Sequence, residues 1–156
     1  MRVIGIDPGY DRLGIAVLDG DVHTHTLVYS TCIETDKKLP ISKRLFAVGL
    51  ELEKIIEKYV PERLGVETLF FNSNQKTGIA VAEARGIVLY VAECAGVTTF
   101  EYSPQAIKVA VTGHGASKKE QVEMMLEKLI ANIPKKALDD EYDAIAVALT
   151  CLVSEK

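Results

Sequence analysis

The stretch Val3–Asp19, VIGIDPGYDRLGIAVLD, determines the fold that we expect for this chain. Two short apolar runs flank a turn at Pro8-Gly9, a pattern typical of two adjacent β-strands. The first run ends in a carboxylate, Asp7, at the point where the strand meets the turn. Because an isolated buried carboxylate is costly to desolvate, Asp7 is expected to be protonated, paired or bound to a cation. This acid is therefore the first candidate for a functional site.

The remaining patterns predict an α/β protein. Short turns between the first three strands indicate an antiparallel meander, and helical crossovers before the last two indicate parallel pairing. We therefore predict a mixed five-stranded sheet, an antiparallel meander plus parallel strands, with helices on both faces. No repeat, low-complexity tract or linker divides the chain, so residues 1–156 are expected to form a single domain.

The predicted boundaries come from apolar spacing and from turn and cap residues. The predicted strands are Arg2–Asp7, Arg12–Leu18, about Val22–Ile33, Arg63–Glu67 and Val97–Tyr102. The predicted helices are about Ile41–Tyr59, about Ser73–Ala95, one capped by Ser103 that ends near Val111, one capped by Ser117 that ends near Ala131, and about Ala137–Val153. Glu120 would complete a capping box with Ser117.

Bulk composition is that of an ordinary globular protein, with 48% hydrophobic and 26% charged residues. The net charge of −4 gives no global basic signature for nucleic acid, so a polyanion would need a local patch or screening metal ions. Between Asn72 and Lys119, however, five basic residues stand against three acidic ones. The acidic total therefore conceals a mildly basic middle segment.

Three widely spaced cysteines in apolar settings favour thiols in a reducing compartment. The chain begins directly with a strand pattern and shows no targeting signal. Its longest apolar run, 144–153, is too short to cross a bilayer. These features lead us to expect a soluble, cytoplasmic protein without a membrane association.

Four carboxylates stand at positions where the predicted fold could bring them together. Asp7 and Glu67 end two strands that a crossover would place side by side, and Asp140 and Asp143 share one face at the start of the last helix. Clustered carboxylates repel one another, and divalent cations relieve that repulsion. An all-oxygen donor set without His or Cys favours Mg²⁺ or Mn²⁺ over Zn²⁺. Such ions could activate water for phosphodiester hydrolysis.

Each acid also has a structural explanation when it is considered alone. Asp-Pro-Gly is a common turn, Glu67 could be an acid facing a loop, and acids suit the start of a helix. Asp139 and Glu141 add two more acids beside the last pair, so the identity of the ligands could shift by one position. The joint placement at two strand ends and one helix start is what favours a site.

Five stretches, taken in order, resemble the RuvC Holliday-junction resolvases. They are VIGIDPGYDRLGIAV, GVETLFF, EARG, SPQAIKVAVTGHGASKKEQV and DDEYDAIAVAL. Members of that family are homodimeric, metal-dependent endonucleases of the RNase H-like (retroviral-integrase) superfamily. The resemblance therefore implies an RNase H-like fold and an enzyme that resolves four-way DNA junctions by paired symmetric phosphodiester hydrolysis.

The resemblance also implies roles for individual residues. Asp7, Glu67, Asp140 and Asp143 take the places of four catalytic acids that bind Mg²⁺, with two ions per site and Mn²⁺ as a substitute. Phe70 matches an aromatic residue that stacks on a base, an interaction worth roughly 1–3 kcal/mol. The candidate DNA-binding cations, of which the first two match family lysines near the cut phosphate, are Lys108, Lys119, Lys118, Lys76 and Arg85.

The implied partners are four-way branched DNA, a second copy of the chain and a branch-migration motor complex. One observation on the residues favours the dimer independently, because the stretch Ile79–Ala95 is apolar or small nearly all round. A helix that is apolar on every side is expected to be buried on every side. A twofold dimer would place two active sites symmetrically on opposed strands.

Three other readings compete with the junction resolvase. The Val3–Asp19 stretch also resembles the small RNase H-like nucleases of the YqgF group, which act on RNA; the Glu67-x-x-Phe70 and Asp140-x-x-Asp143 spacings favour RuvC. Actin-like ATPases and sugar kinases share a strand bearing Asp before a phosphate loop, but they need two such domains. A catalytically silent junction-binding module is disfavoured because all four acid positions are filled.

Overall fold

The computed structural model describes residues 1–9, 11–69, 75–134 and 137–154, and the side chains of residues 75–77 are not described. Its five strands form one sheet in the order β3-β2-β1-β4-β5. They are β1 (Arg2–Asp7), β2 (Arg12–Gly20), β3 (His25–Glu34), β4 (Arg63–Glu67) and β5 (Thr98–Tyr102). The first three strands pair antiparallel, whereas β1–β4 and β4–β5 pair parallel. The predicted mixed five-stranded sheet is confirmed.

Helices cover both faces of the sheet, as predicted. Alternation along β1 directs Ile4 and Ile6 to one apolar core and Val3 to the other. The first core lies under α1 and α2, and the second lies under α5 with α3 and α4. The helices are α1 (Ile41–Tyr59), α2 (Gln75–Cys94), α3 (Pro104–Thr112), α4 (Lys119–Leu129) and α5 (Asp139–Ser154). None of them, over the described residues, is long and apolar enough to cross a membrane.

Several predicted boundaries differ from the observed ones by one to three residues, and two of these differences have local reasons. The third strand begins at His25 rather than Val22, because the Asp21 carboxylate accepts hydrogen bonds from the backbone N–H groups of His23 and Thr24 and closes a turn.

The α4 cap also differs from the predicted one. Ser117 does not cap this helix: its hydroxyl is 2.7 Å from that of Thr112. Lys118 is the N-cap residue, and its backbone N–H donates to the side chain of Gln121. The predicted capping box of Ser117 and Glu120 is therefore replaced by a contact one residue further along the chain. The hydroxyl of Ser117 is engaged by the preceding helix instead.

Two glycines allow α5 to lie directly on the sheet. A Cβ atom at Gly14 on β2 would lie 2.0 Å from the carbonyl oxygen of Asp140, and one at Gly5 on β1 would lie 2.3 Å from that of Ala144. Both distances are far below any contact that a side chain tolerates, so only glycine permits this approach. The backbone of α5 therefore lies against the central strands, and its first turn lies over the end of β1.

Candidate active site

The two strand-end acids lie side by side on the face that α5 covers. Register in the parallel pair aligns Ile6 with Val66, so the next residues, Asp7 and Glu67, end adjacent strands at the same edge. On β1 and β4 the positions two residues earlier, Gly5 and Gly65, face α5. Because side chains alternate along a strand, both acids point to the same face. The sheet itself thus brings the first two predicted acids together.

The first turns of α5 add the other two predicted acids. Asp140 and Asp143 are three residues apart on the helix that crosses β1 and β2. This end of α5 is bonded to the sheet, because Ser30 on β3 donates a hydrogen bond to Glu141 (2.5 Å) and Nη1 of Arg12 on β2 lies 3.4 Å from Oδ2 of Asp140. The helix start is therefore fixed relative to the strand ends.

The electrostatic environment of Asp7 includes all three of the other predicted acids. Burial, followed by the charges of Asp143, Glu67 and Asp140, raises the pKa of Asp7 to about 7, against a lowering influence of Lys119. Burial and then the charge of Asp143 likewise raise the pKa of Glu67. Each of the three other predicted acids thus contributes to the repulsion at Asp7. The structure brings together the four carboxylates that the sequence singled out.

Two lysines from neighbouring helices complete the site. Lys108 of α3 and Lys119 of α4 line a cleft of about 260 Å³ together with Glu67 and Asp143. Nζ of Lys119 lies 3.1 Å from Oδ2 of Asp143. The rest of the lining is apolar and comes from Pro104, Ile107, Val122 and Ala146. A cleft lined by both acids and cations can hold a phosphate whose charge would otherwise be repelled.

The donor chemistry of the site fits a hard divalent cation. All four groups are carboxylates, and the pKa values of Asp7, Glu67 and Asp143 are raised, for which burial is the main cause in each case. Such groups favour an oxygen-preferring cation that relieves their repulsion.

Two of the four carboxylates are paired with basic side chains of the chain itself. Over the described residues, no three acidic, histidine or cysteine side chains are arranged to hold one ion. Lys119 is bonded to Asp143, and Arg12 to Asp140. Two of the four carboxylates are thus directed toward basic side chains.

The other predicted DNA contacts are distributed unevenly. Lys118 is exposed at the N-cap of α4, beside the cleft residue Lys119. Arg85 on α2 is ion-paired with Glu101 of β5, and its side chain is only 19% exposed. Phe70 lies outside the described residues, as does the side chain of Lys76. The structure therefore places Lys108 and Lys119 beside the acids, leaves Lys118 exposed next to Lys119 in the chain, and holds Arg85 in a separate ion pair.

Sequence reasoning missed two arginines that act around the site. Arg12 follows the turn after β1 and pairs with Asp140. Arg44 lies buried on α1, with its side chain 4% exposed, and pairs with Asp11 in that same turn. A signal for Arg44 was present, since it falls four residues before Val48 and eight before Leu52 on the apolar stripe of its helix. No local signal identified the partner of Arg12.

Comparison with known proteins identifies the family. The profile described as crossover junction endodeoxyribonuclease RuvC matches residues 3–151. RuvC of Thermosipho melanesiensis is 39% identical over 156 residues, which cover 99% of this chain and 98% of that protein. RuvC of Fusobacterium nucleatum is 38% identical over 152 residues, 96% of this chain and 79% of that protein.

Solved structures agree with the sequence comparison. T. thermophilus RuvC in complex with a Holliday junction substrate superposes with a TM-score of 0.92 at 29% sequence identity, covering 99% of this chain and 94% of that one. The resemblance inferred from the five sequence stretches is thereby confirmed, as is the RNase H-like fold. From its sequence and its fold alike, this chain belongs to the crossover junction endodeoxyribonuclease family RuvC.

Proposed function

We propose that this chain is a divalent-metal-dependent endodeoxyribonuclease that resolves four-way DNA junctions. The observation that carries the proposal is the convergence of Glu67, Asp140 and Asp143 on the partly buried carboxylate of Asp7 in a chain of the RuvC family. A module that only bound phosphates would gain nothing from clustered negative charge. The relative from T. thermophilus, whose structure contains a Holliday junction substrate, supports branched DNA as the substrate class.

The four carboxylates would hold the metal. We propose Mg²⁺, two ions per site, with Mn²⁺ able to replace it. When bound, such cations supply Lewis acidity for the scissile phosphate and a water of lowered pKa. Asp7 offers a ligand whose position is set by a central strand, which is paired on both sides. Glu67 on the adjacent strand and the two acids of α5 would complete the ligand set.

The lysines at the cleft would bind and orient the phosphate. Lys119 donates a hydrogen bond to Asp143. A phosphate oxygen that binds the same ammonium group would therefore lie beside that carboxylate. Lys108, whose charge lowers the pKa of Glu67, would act from the opposite helix. Positive charge near the transferring phosphoryl group stabilises the charge that develops during hydrolysis.

We further propose that two copies of the chain act together. Large apolar side chains of α1 and α2 are exposed, among them Phe46 at 71% and Ile79 at 64%, which supports a contact with a second subunit. A twofold dimer would present two sites to two opposed strands of one junction. Sedimentation equilibrium should therefore give twice the chain mass of 17.1 kDa.

Two assignments complete the proposal. We treat residues 1–156 as one nuclease domain, which is supported by the membership of all five strands in a single sheet. We place the protein in the cytoplasm, which is supported by the free thiols of Cys32 and Cys94.

The decisive experiment compares three labelled substrates on a denaturing gel: a synthetic four-way junction, a linear duplex of the same sequence and a structured RNA. Each is incubated with Mg²⁺, with Mn²⁺ or with EDTA. The Asp7→Asn variant, prepared in the same way, shows whether the observed cleavage is catalysed by this protein. Paired, symmetric nicks in the junction, absent with EDTA and with the Asp7→Asn variant, are the expected result.

Three outcomes would contradict the proposal in different ways. Cleavage of the RNA alone would favour a nuclease of the YqgF type on the same fold. Binding of the junction without cleavage in either metal would leave a silent binding module, and the four carboxylates would have no catalytic explanation. A nuclease that cut the linear duplex equally well would retain the mechanism but lose the junction as its substrate.

A further inference from the structure

Arg44 is a buried cation on the apolar stripe of α1, and its guanidinium group bonds to residues outside that helix. Its Nε donates to the hydroxyl of Thr35 at 2.8 Å, just after β3. Its second guanidinium nitrogen, Nη2, lies 3.1 Å from Oδ1 of Asp11. Asp11 belongs to the turn that joins β1 to β2. One helix side chain thus connects this turn to the end of the third strand.

The turn that Arg44 holds lies between two residues of the candidate site. Asp7 immediately precedes the turn, and Arg12, the partner of Asp140, immediately follows Asp11. The backbone carbonyl of Asp11 also accepts a hydrogen bond from the N–H of Thr35 at 3.4 Å. A displacement of Asp11 would therefore move the chain on both sides, toward Asp7 and toward Arg12.

Packing alone does not explain a guanidinium at this place. Burying a charged group is costly, and an apolar side chain of similar volume often stabilises a core equally well or better. An arginine that is buried and bonded to specific acceptors instead gives a fixed geometry, because its planar donors select the direction of each partner.

We propose that Arg44 is a positioning residue: through Asp11 it holds the β1–β2 turn and so sets the placement of Asp7 and of the Arg12–Asp140 pair. This inference rests on the proposed function of the four carboxylates. Arg44 touches neither substrate nor metal in this view. Its effect passes through a turn of a few residues, in the way that outer hydrogen bonds orient metal ligands.

The test uses a matched pair of variants, Arg44→Met and Arg2→Met. Arg2 also binds a carboxylate across β1 and β2, with two 2.7 Å contacts to Asp19, but at the opposite end of these strands. Three measurements are made: the free energy of unfolding in urea, the affinity of the DNA-free protein for Mn²⁺ by titration calorimetry, and the kinetics of junction cleavage, which give kcat and KM.

For Arg44→Met we expect about a tenfold loss in Mn²⁺ affinity and about a 10- to 100-fold loss in kcat, with KM for the junction within about twofold of the parent. Arg2→Met should lose stability while its Mn²⁺ affinity and kcat stay near those of the parent. Arg44→Lys keeps the charge and should recover part of both losses. Equal effects of Arg44→Met and Arg2→Met on Mn²⁺ and kcat would overturn the proposal, as would a loss of stability alone.

A second variant covers the case in which Arg44→Met does not fold. Asp11→Asn removes the charge from the more exposed partner, and Lys37→Met removes the other cation bonded to Asp11, at 2.6 Å. The Asp11 variant should reproduce the losses in Mn²⁺ affinity and kcat, and the Lys37 variant should not; the reverse pattern would contradict the role of Arg44. Failure of the parent itself to cut junctions would refute the proposed function, while the Mn²⁺ titrations would still decide the inference.

Discussion

Nζ of Lys119, at the start of α4, lies 3.1 Å from Oδ2 of Asp143 on α5, and 3.5 Å from Asp139 on the same helix. Partial burial lowers the pKa of Lys119, but the bonds to these carboxylates outweigh it and leave that pKa raised. The side chain is therefore an ammonium group at neutral pH. It joins the two helices beside the cleft and directs a positive charge at the candidate metal ligands.

Replacing this ammonium should reduce catalysis more than binding. For Lys119→Met we expect about a 100-fold fall in the single-turnover cleavage rate, because the charge that faces the reacting phosphate is lost. Junction affinity should fall only modestly, and to about the same degree as in Lys118→Met, since each change removes one phosphate contact among many. Lys118→Met is the control: this neighbour is exposed at the helix cap, and its removal should weaken binding in a salt-dependent way without slowing saturated cleavage. Equal rates for the two variants would show that proximity to Asp143 is irrelevant.

The raised pKa of Asp7 should appear as a pH dependence of stability. The pKa of Asp7 is about 7 in the folded chain, against an ordinary value of 3.8. Between these values the folded state retains a proton that the unfolded state has released, so stability falls as pH rises and stays lower above pH 7. The full penalty is on the order of 4 kcal/mol. Urea unfolding in EDTA, from pH 4 to pH 8, measures this decline.

The Asp7→Asn variant separates this effect from those of the other acids. Glu67 and Asp143 also have raised pKa values, so the parent curve combines several groups. The difference between parent and variant isolates Asp7: the variant should be the more stable at pH 8 and should gain little at pH 4. Adding Mg²⁺ at pH 8 should stabilise the parent more than the variant, because the ion binds the carboxylate. Parallel curves for the two proteins would contradict the raised pKa.

The four acids of the site could be predicted from the sequence because they stand at strand ends and at a helix start, which short residue patterns identify. An apolar strand that terminates in an acid identified Asp7 and Glu67, and a three-residue spacing at a helix start identified Asp140 and Asp143. The parallel order of β1 and β4 followed from the helical crossover between them. These inferences needed only periodicity and topology.

The remaining features depend on distances between segments far apart in the sequence. Arg12 meets Asp140 only after β2 is in register and α5 has docked. Arg44 bonds to Asp11, which lies 33 residues away in the sequence. The cap of α4 shifted because the hydroxyl of Ser117 is engaged by Thr112 of the preceding helix rather than by its own helix. Propensity patterns carry no information about such tertiary partners, which explains why these residues were missed.

Close approach of α5 to the sheet makes Gly14 critical for the site. A methyl group at this position would meet the carbonyl oxygen of Asp140 at 2.0 Å, a backbone atom that cannot rotate away. In Gly14→Ala the first turn of α5 must therefore move off the strand and carry its acids with it. We expect a loss of about 1–3 kcal/mol in unfolding free energy, as in other overpacked cores, and a large fall in cleavage rate. Ala16→Gly on the same strand is the control for altered strand propensity; a Gly14→Ala enzyme with parental activity would contradict the close approach.

Val60, the C-cap residue of α1, has a left-handed backbone conformation that valine disfavours. Val60 adopts φ 48° and ψ 58° at the helix C-cap, where its N–H bonds to the carbonyl of Ile56, and its side chain is 73% exposed. A left-handed conformation costs a side-chain-bearing residue roughly 1–2 kcal/mol, more for a β-branched one, whereas glycine adopts it freely. Because little apolar area is buried here, the native side chain recovers little of that cost.

Val60→Gly should therefore stabilise the protein. Relief of the left-handed strain is opposed by the greater freedom of glycine in the unfolded chain, so we expect a net gain of about 0.5–1 kcal/mol. Urea unfolding should show a higher midpoint with an unchanged slope. Val60→Ala, which retains a Cβ, should gain less. Cleavage should be unaffected because Val60 precedes β4 at the end opposite Glu67. A less stable glycine variant would indicate that the valine side chain is buried against a second subunit, and a parallel measurement of the oligomeric mass would decide this.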